Sequence, residues 1–342
     1  MRWLARHHAA VTKKKPKGRI VTPRPGATKK RAARPAVQQA IPAASLTPND
    51  PLWVSSWSLA KVNAPAAWQL TTGTSETIIA VLDTGVDLTH PDLQGAFVPG
   101  YDFVNRDEDP TDDHGHGTMV AGVIAARSNN RIGGAGACSR CSLMPVKVIA
   151  GNGSGNAADV AAGIVWAADH GARVINLSFV LSGPDEGVAQ AIGYARGRGA
   201  IVVAAAGNAG STDVTFPAGL AGVVSVTGTD GADARYAWAS YGSWVRFAAP
   251  GCSQTTAPAG GYGDFCGTSS AAAFVSGLAG LARSFAAGAS PESLEQALAA
   301  KAAPVGEIAA SGRVDAAGIL GALRITEPQP VPVAETAVAD FS

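Results

Sequence analysis

Four short stretches of this 342-residue chain carry side chains that could do chemistry. In VLDTGVDLTHPDL (81–93), an apolar run delivers Asp83 to a Thr-Gly turn. In DDHGHGTMVAGV (112–123), His116 opens a run of small and apolar residues. In GTSSAAAFVSG (267–277), Ser269 follows Gly-Thr at the start of an Ala/Gly/Ser-rich helix. That placement exposes the hydroxyl and points backbone N–H groups at any negative charge developing beside it. In VVAAAGNAG (202–210), a strand ends in Gly207–Asn208 and leaves an amide beyond the sheet edge. Taken alone, an aspartate at a strand end caps a loop, and a single histidine packs in a core. Together, a carboxylate, an imidazole, a hydroxyl and an amide point to nucleophilic acyl transfer.

These groups need elements to hold them. ETIIAVLD (76–83) reads as a buried strand ending at the carboxylate, and GTMVAGVIAA (117–126) as a helix. SLMPVKVI (142–149), ARVINLS (172–178), AIVVAAAG (200–207) and GVVSVTG (222–228) are further apolar, β-rich runs bounded by Gly or polar turns. Between them, NAADVAAGIVWAADHG (156–171) sets Val160, Ile164 and Ala168 four apart and ends at a Gly suited to a helix C-cap. DEGVAQAIGYARGRG (185–199) behaves similarly. Strand and helix alternate, so the expected fold class is α/β. Three layers are expected, a mostly parallel sheet with helices on both faces.

Composition bounds the rest. With 46% hydrophobic and 15% charged residues, the chain has material for a large interior. No apolar stretch approaches the roughly 18 residues that span a bilayer, so no transmembrane segment is expected. Residues 1–48 hold 12 of the 27 basic residues and none of the 26 acidic ones, which leaves the remainder at a net charge of −11. The reading is a basic, disordered tail or leader over 1–48, an ordered domain over 49–323, and a Pro-rich flexible tail over 324–342. A Lys/Pro/Ala-rich tail of this kind is solvated, and no nucleic-acid partner is expected. Its start, MRWLARHHAAV, has the charged onset of a secretory signal but no apolar stretch behind it.

The four stretches resemble the subtilisin-like serine peptidases, particularly their thermitase-like bacterial members. DTGVD with HPDL, HGT-x-VAG, GTS before a small-residue helix, and AAAGN all match the family's signatures. NDPLW…APAAW (49–68) is similar to its opening segment. Asp…His…Ser is the order known for subtilisin. The resemblance implies a serine endopeptidase of broad specificity that works on proteins and peptides, as a monomer and with no organic cofactor. Asp83, His116 and Ser269 would form the triad and Asn208 the oxyanion donor. His90, Asp87 and His114 are read as structural; His116 takes the base role because only it precedes Thr-x-x-Ala-Gly.

The resemblance implies further sites. Ser178, Phe179 and Val180 would pair with an extended substrate, and Ala205, Ala206 and Gly207 would form the facing wall. The family usually has Gly where this chain has Val180, and no acidic residue is evident there. An apolar residue before the scissile bond is therefore expected. Asp92 and Asn130 side chains, with carbonyls of Ser128, Ile132 and Gly134, resemble the family's calcium site, an oxygen set suited to Ca²⁺. Two departures stand out. Ser270 follows the nucleophile where Met is common, and Ala273 replaces a Pro.

Cys138/Cys141 and Cys252/Cys266 admit a zinc site or disulfides. For a calcium-binding peptidase the expectation is sequence-local disulfides, and an extracellular or cell-envelope location. The rival function is a catalytically silent binding or scaffold protein on the same fold. Fold alone does not separate the two, because function lives in the site.

Overall fold

The computed structural model describes residues 47–326. Nearly all of the leader expected over 1–48, and most of the tail expected over 324–342, lies outside them.

Two short helices, α1 (Trp57–Lys61) and α2 (Ala64–Trp68), precede the first strand, β1 (Ile78–Asp83). There follow β2 (Tyr101–Asp102), α3 (His116–Ala125), β3 (Ser142–Lys147), α4 (Ala157–Asp169), β4 (Ala172–Leu177), α5 (Glu186–Gly197), β5 (Ile201–Ala205), β6 (Val223–Thr229) and β7 (Phe247–Pro250). An antiparallel hairpin, β8 (Cys252–Ala257) and β9 (Gly261–Cys266), leads into α6 (Thr268–Phe285). Helices α7 (Pro291–Ala299) and α8 (Ala316–Thr326) close the described chain.

The seven strands β1–β7 form one parallel sheet in the order β2-β3-β1-β4-β5-β6-β7. Side chains on a strand alternate between faces, and the sequence supplies apolar groups for both. Ile79, Val81, Val174, Ile201 and Val203 pack with α3 and α6 in one cluster. Ala80, Leu82, Ile175, Leu177, Val202 and Ala204 pack with α4 and α5 in another. This is the expected three-layer α/β arrangement. Local chemistry starts the outer helices: Asn156 caps α4 by accepting from Asp159 N, and Asp185 caps α5 by accepting from Val188 N.

Parallel strands point all their carboxyl ends to one side. Asp83 lies there at the end of β1, Ser178 just past β4 and Asn208 just past β5. The N-termini of α3 and α6 arrive at the same side, carrying His116 and Ser269. No described helix is long and apolar enough to cross a membrane. The sequence reading did not anticipate β7 or the β8–β9 hairpin, whose CSQTTA and GYGDFC strands carry little apolar signal.

Candidate active site

Asp83 is wholly buried, and its Oδ1 accepts from Thr84 N at 2.8 Å. The same oxygen stands 2.7 Å from His116 Nδ1. A carboxylate can only accept, so Nδ1 carries the proton and Nε2 is left as the basic nitrogen. Burial disfavours the imidazolium. The Asp83 charge and hydrogen bond, assisted by Asp112, outweigh it, and the His116 pKa is raised above 6.5. The Gly after this histidine is a packing requirement. A Cβ on Gly117 would lie 2.0 Å from the Gly85 carbonyl oxygen, so only Gly lets α3 start so close to the Asp83 turn.

Ser269 occupies the first turn of α6, where backbone N–H groups have no intrahelical acceptor. Its hydroxyl donates to Ser178 O at 2.9 Å. Asn208 Oδ1 accepts from Thr268 N at 2.9 Å and Thr268 Oγ1 at 3.0 Å. The Asn208 Nδ2 lies 3.3 Å from where a Cβ on Gly267 would stand, on an exposed residue. An imidazole at the end of β1, and a hydroxyl and an amide joined through Thr268 past β4 and β5, thus lie at the carboxyl ends of the strands.

Several supporting residues escaped the sequence reading. Asp112 Oδ1 accepts from Thr84 Oγ1 (2.9 Å), His114 N (3.0 Å) and Gly115 N (2.8 Å). Its Oδ2 accepts from Thr118 N and Thr118 Oγ1, so one carboxylate fixes the whole turn before His116. Lys147 is the register partner of Asp83 and only 1% exposed. Its ammonium donates to Thr84 O and pairs with Asp113 Oδ1, tying β3 to both turns. Asn176 is buried and links Ser178 to α6, donating to Ser178 Oγ and accepting from Ser276 Oγ, each at 2.9 Å. DDHGHGT hinted at Asp112, but nothing in an apolar strand run marks Lys147.

The expected substrate-binding residues divide. Ser178 is buried beside Ser269, and Val180 is exposed facing Gly207. Phe179 packs against the core on the α4 side, and the Ala205 side chain belongs to the opposite core. Ala206 is buried, with its carbonyl accepting from Thr215 Oγ1 at 2.9 Å. Among the residues read as structural, His90 bridges Gly261 O (2.8 Å) and Asp92 N (3.1 Å). Asp87 accepts from Thr89 within its own turn, and His114 is exposed.

Asp92 is also wholly buried, accepting from Asn130 Nδ2 (2.6 Å) and Gly134 N (3.0 Å). Burial pushes its carboxyl up, and the charge of Asp50 adds to this. Asp50, which sequence reasoning missed, accepts from Asn129 N (2.8 Å), Asn130 N (3.0 Å) and Arg131 N (3.2 Å). Burial and Asp92 push the Tyr262 hydroxyl up to about 12. No group of three or more His, Cys, Asp or Glu side chains among the described residues could hold a metal. Two buried carboxylates in an amide- and carbonyl-rich loop nevertheless fit a hard cation in charge and donor type.

The cysteines are paired as Cys138–Cys141 and Cys252–Cys266, with none free among the described residues, which removes the zinc alternative. The second bridge joins directly opposed residues of the β8–β9 hairpin. Thr255 and Thr256 bond this hairpin to α3, and Ser253 Oγ meets Ser270 Oγ of α6 at 3.1 Å.

Comparison with known proteins identifies the family. A family model described as the subtilase family, Peptidase_S8, matches residues 74–322. Thermitase of Thermoactinomyces vulgaris is 42% identical over 275 residues, covering 79% of this chain and 98% of that protein. A thermophilic serine proteinase of Bacillus sp. (strain AK1) is 42% identical over 240 residues, 70% of this chain and 60% of that one. The solved structure of a protease from Pseudoalteromonas arctica PAMC 21717 superposes with a TM-score of 0.76 at 31% identity. It covers 81% of this chain and 99% of its own.

Proposed function

The chain belongs to the subtilase family and is a serine endopeptidase, and we propose that it works through an acyl-enzyme on Ser269. The observation that carries the reading is the 2.7 Å contact between Asp83 and His116, at the rim where α6 presents Ser269. His116 Nε2 takes the proton of Ser269 Oγ, which otherwise donates it to Ser178 O, as Oγ attacks the scissile carbonyl. Asp83 holds the imidazole tautomer and stabilises the imidazolium without itself taking the proton. Asn208 Nδ2 and Ser269 N bind the oxyanion. His116 then protonates the leaving amine, and water releases the acyl group by the same steps. A catalytically silent scaffold finds no support in a site that keeps all these groups. Labelling with a serine-directed fluorophosphonate, followed by mass spectrometry, tests the assignment; modification of any residue but Ser269 refutes it.

Ser178, Phe179 and Val180 offer backbone to an extended substrate, opposite the backbone of Ala205, Ala206 and Gly207. The peptidase domain occupies 49–323 and acts as a monomer on proteins, after loss of the 1–48 leader. Two disulfides favour an oxidising compartment, outside the cell or in its envelope.

The raised His116 pKa fixes a pH dependence. Activity needs neutral imidazole, so kcat/KM should fall as pH drops through a midpoint above the ordinary 6.5. A midpoint below 6.5 in a pH–rate profile contradicts the Asp83 pairing. The stability linked to this group has the opposite sign. It is complete below the unfolded value and is lost as pH rises through the raised one.

Calcium would be held by Asp92 and the carbonyls of Ser128, Ile132 and Gly134, with Asp50 beside them; Asn130 Oδ1, which here accepts from Ile132 N at 3.0 Å, would have to turn to join them. Its role would be structural, joining the opening segment to the 128–134 loop. Calcium at 100 times its Kd should raise unfolding free energy by about 2.7 kcal/mol. A melting temperature indifferent to chelator, in the parent and in Asp92→Ala alike, removes the site.

Ser270 bears on oxidation. Methionine beside a nucleophile is converted by peroxide to a bulkier polar sulfoxide, whereas serine is not. Peroxide should leave most activity in the parent and less in Ser270→Met. Equal sensitivity of the two would shift the vulnerability to Met119 on α3.

A further inference from the structure

The slot beside Ser269 has two walls, the 178–181 segment and the 205–208 turn. A Cβ placed on Gly207 would lie 3.4 Å from Val180 Cγ2 and 3.3 Å from Thr215 Cγ2. A Cα–Cβ bond is about 1.5 Å long, so both methyls stand within about 5 Å of the Gly207 backbone. Two carbons that flank a third in van der Waals contact must be about 7–8 Å apart. No side-chain atom fits between these methyls and Gly207, so the inner part of the slot is closed. Only its mouth is left to a substrate side chain.

The backbone of neither wall is free to retreat. Thr215 Oγ1 donates to Ala206 O at 2.9 Å, which fixes the rotamer that aims Cγ2 at Gly207. Val180 is followed by Leu181, whose N–H donates to Phe216 O at 2.6 Å in a bridge between the two segments. That bridge clamps Val180 and Thr215 to a common spacing. One polar group remains at the slot. The Ser240 hydroxyl, buried and hydrogen-bonded to no described residue, lies 3.7 Å from the same Cβ point.

We propose that Val180 and Thr215 together restrict the residue supplying the scissile carbonyl to methyl- and hydroxymethyl-sized side chains, so that cleavage follows alanine and serine. The inference rests on the assignment of Ser269 and Asn208 given above, because those two groups place the carbonyl and hence the side chain that must enter this slot. It narrows the expectation of an apolar residue at that position. Leucine or phenylalanine would have to displace a clamped wall.

The test uses quenched peptides identical except at that residue, which is Gly, Ala, Ser, Leu or Phe. Expected kcat/KM is highest for Ala and Ser and at least about 10²-fold lower for Phe, a size typical of a misfit in a closed pocket. In Val180→Gly/Thr215→Gly the ratio of Phe to Ala cleavage should rise about 10²-fold. The single, solvent-exposed change Val180→Gly should raise it about tenfold. It carries the test if the double variant folds poorly. Fluorophosphonate titration counts active sites in each protein, so partial misfolding lowers the count and leaves the ratio intact. Phe cleaved as fast as Ala by the parent, or a ratio unmoved in both variants, overturns the proposal while leaving the nucleophile standing. Labelling at a residue other than Ser269 overturns both.

Discussion

Ser269→Ala is expected to abolish peptide hydrolysis and fluorophosphonate labelling together, while the protein still folds. The loss should be about 10⁶-fold in kcat, the size known for removal of subtilisin's serine. The structure says why folding should survive. Ser269 lies in the first turn of a buried helix, and alanine suits that helix. The one hydrogen bond lost is to Ser178 O, worth about 1 kcal/mol. Melting temperature and turnover should therefore separate cleanly. Retained turnover in this variant would sink the nucleophile assignment.

Asn208→Ala should lower kcat by about 10²–10³ with little change in KM, the cost of losing one oxyanion donor in subtilisin. An amide that binds only the developing oxyanion stabilises the transition state and not bound substrate. The variant should also lose some stability, because Thr268 N and Thr268 Oγ1 both donate to Asn208 Oδ1. Buried donors left unpaired cost about 1–3 kcal/mol. Comparing kcat at matched fractions folded separates the two effects. A change confined to KM would reduce Asn208 to a substrate-positioning role.

Some of this architecture was readable from sequence because its causes are local. The strand ending at Asp83 and the helices ending at Gly171 and Gly199 carry their periodicity and breakers within a few residues. The residues that brace the site act at long range instead. Asp50 meets the 129–131 turn roughly 80 positions away, and Asn176 meets Ser276 at a separation of 100. Lys147 interrupts an apolar run, and only its register opposite Asp83 gives its charge a purpose. The hairpin was missed for a related reason. Its strands are stabilised by hydroxyl contacts to α3 and α6, and its polar sequence shows no buried face.

An endopeptidase is always surrounded by one abundant substrate, which is itself. The tip of the β8–β9 hairpin, Pro258–Ala259, is exposed. Scission there would ordinarily let one strand peel away and release the segment leading to Gly267 and Ser269. The Cys252–Cys266 bridge spans the base of that loop, so both halves of a cut chain stay joined three residues from the nucleophile. The hairpin's contacts to both catalytic helices then hold the nicked strands in place. A nicked molecule should run as two fragments on a reducing gel and one on a non-reducing gel, and self-digestion at this loop should leave the peptidase working.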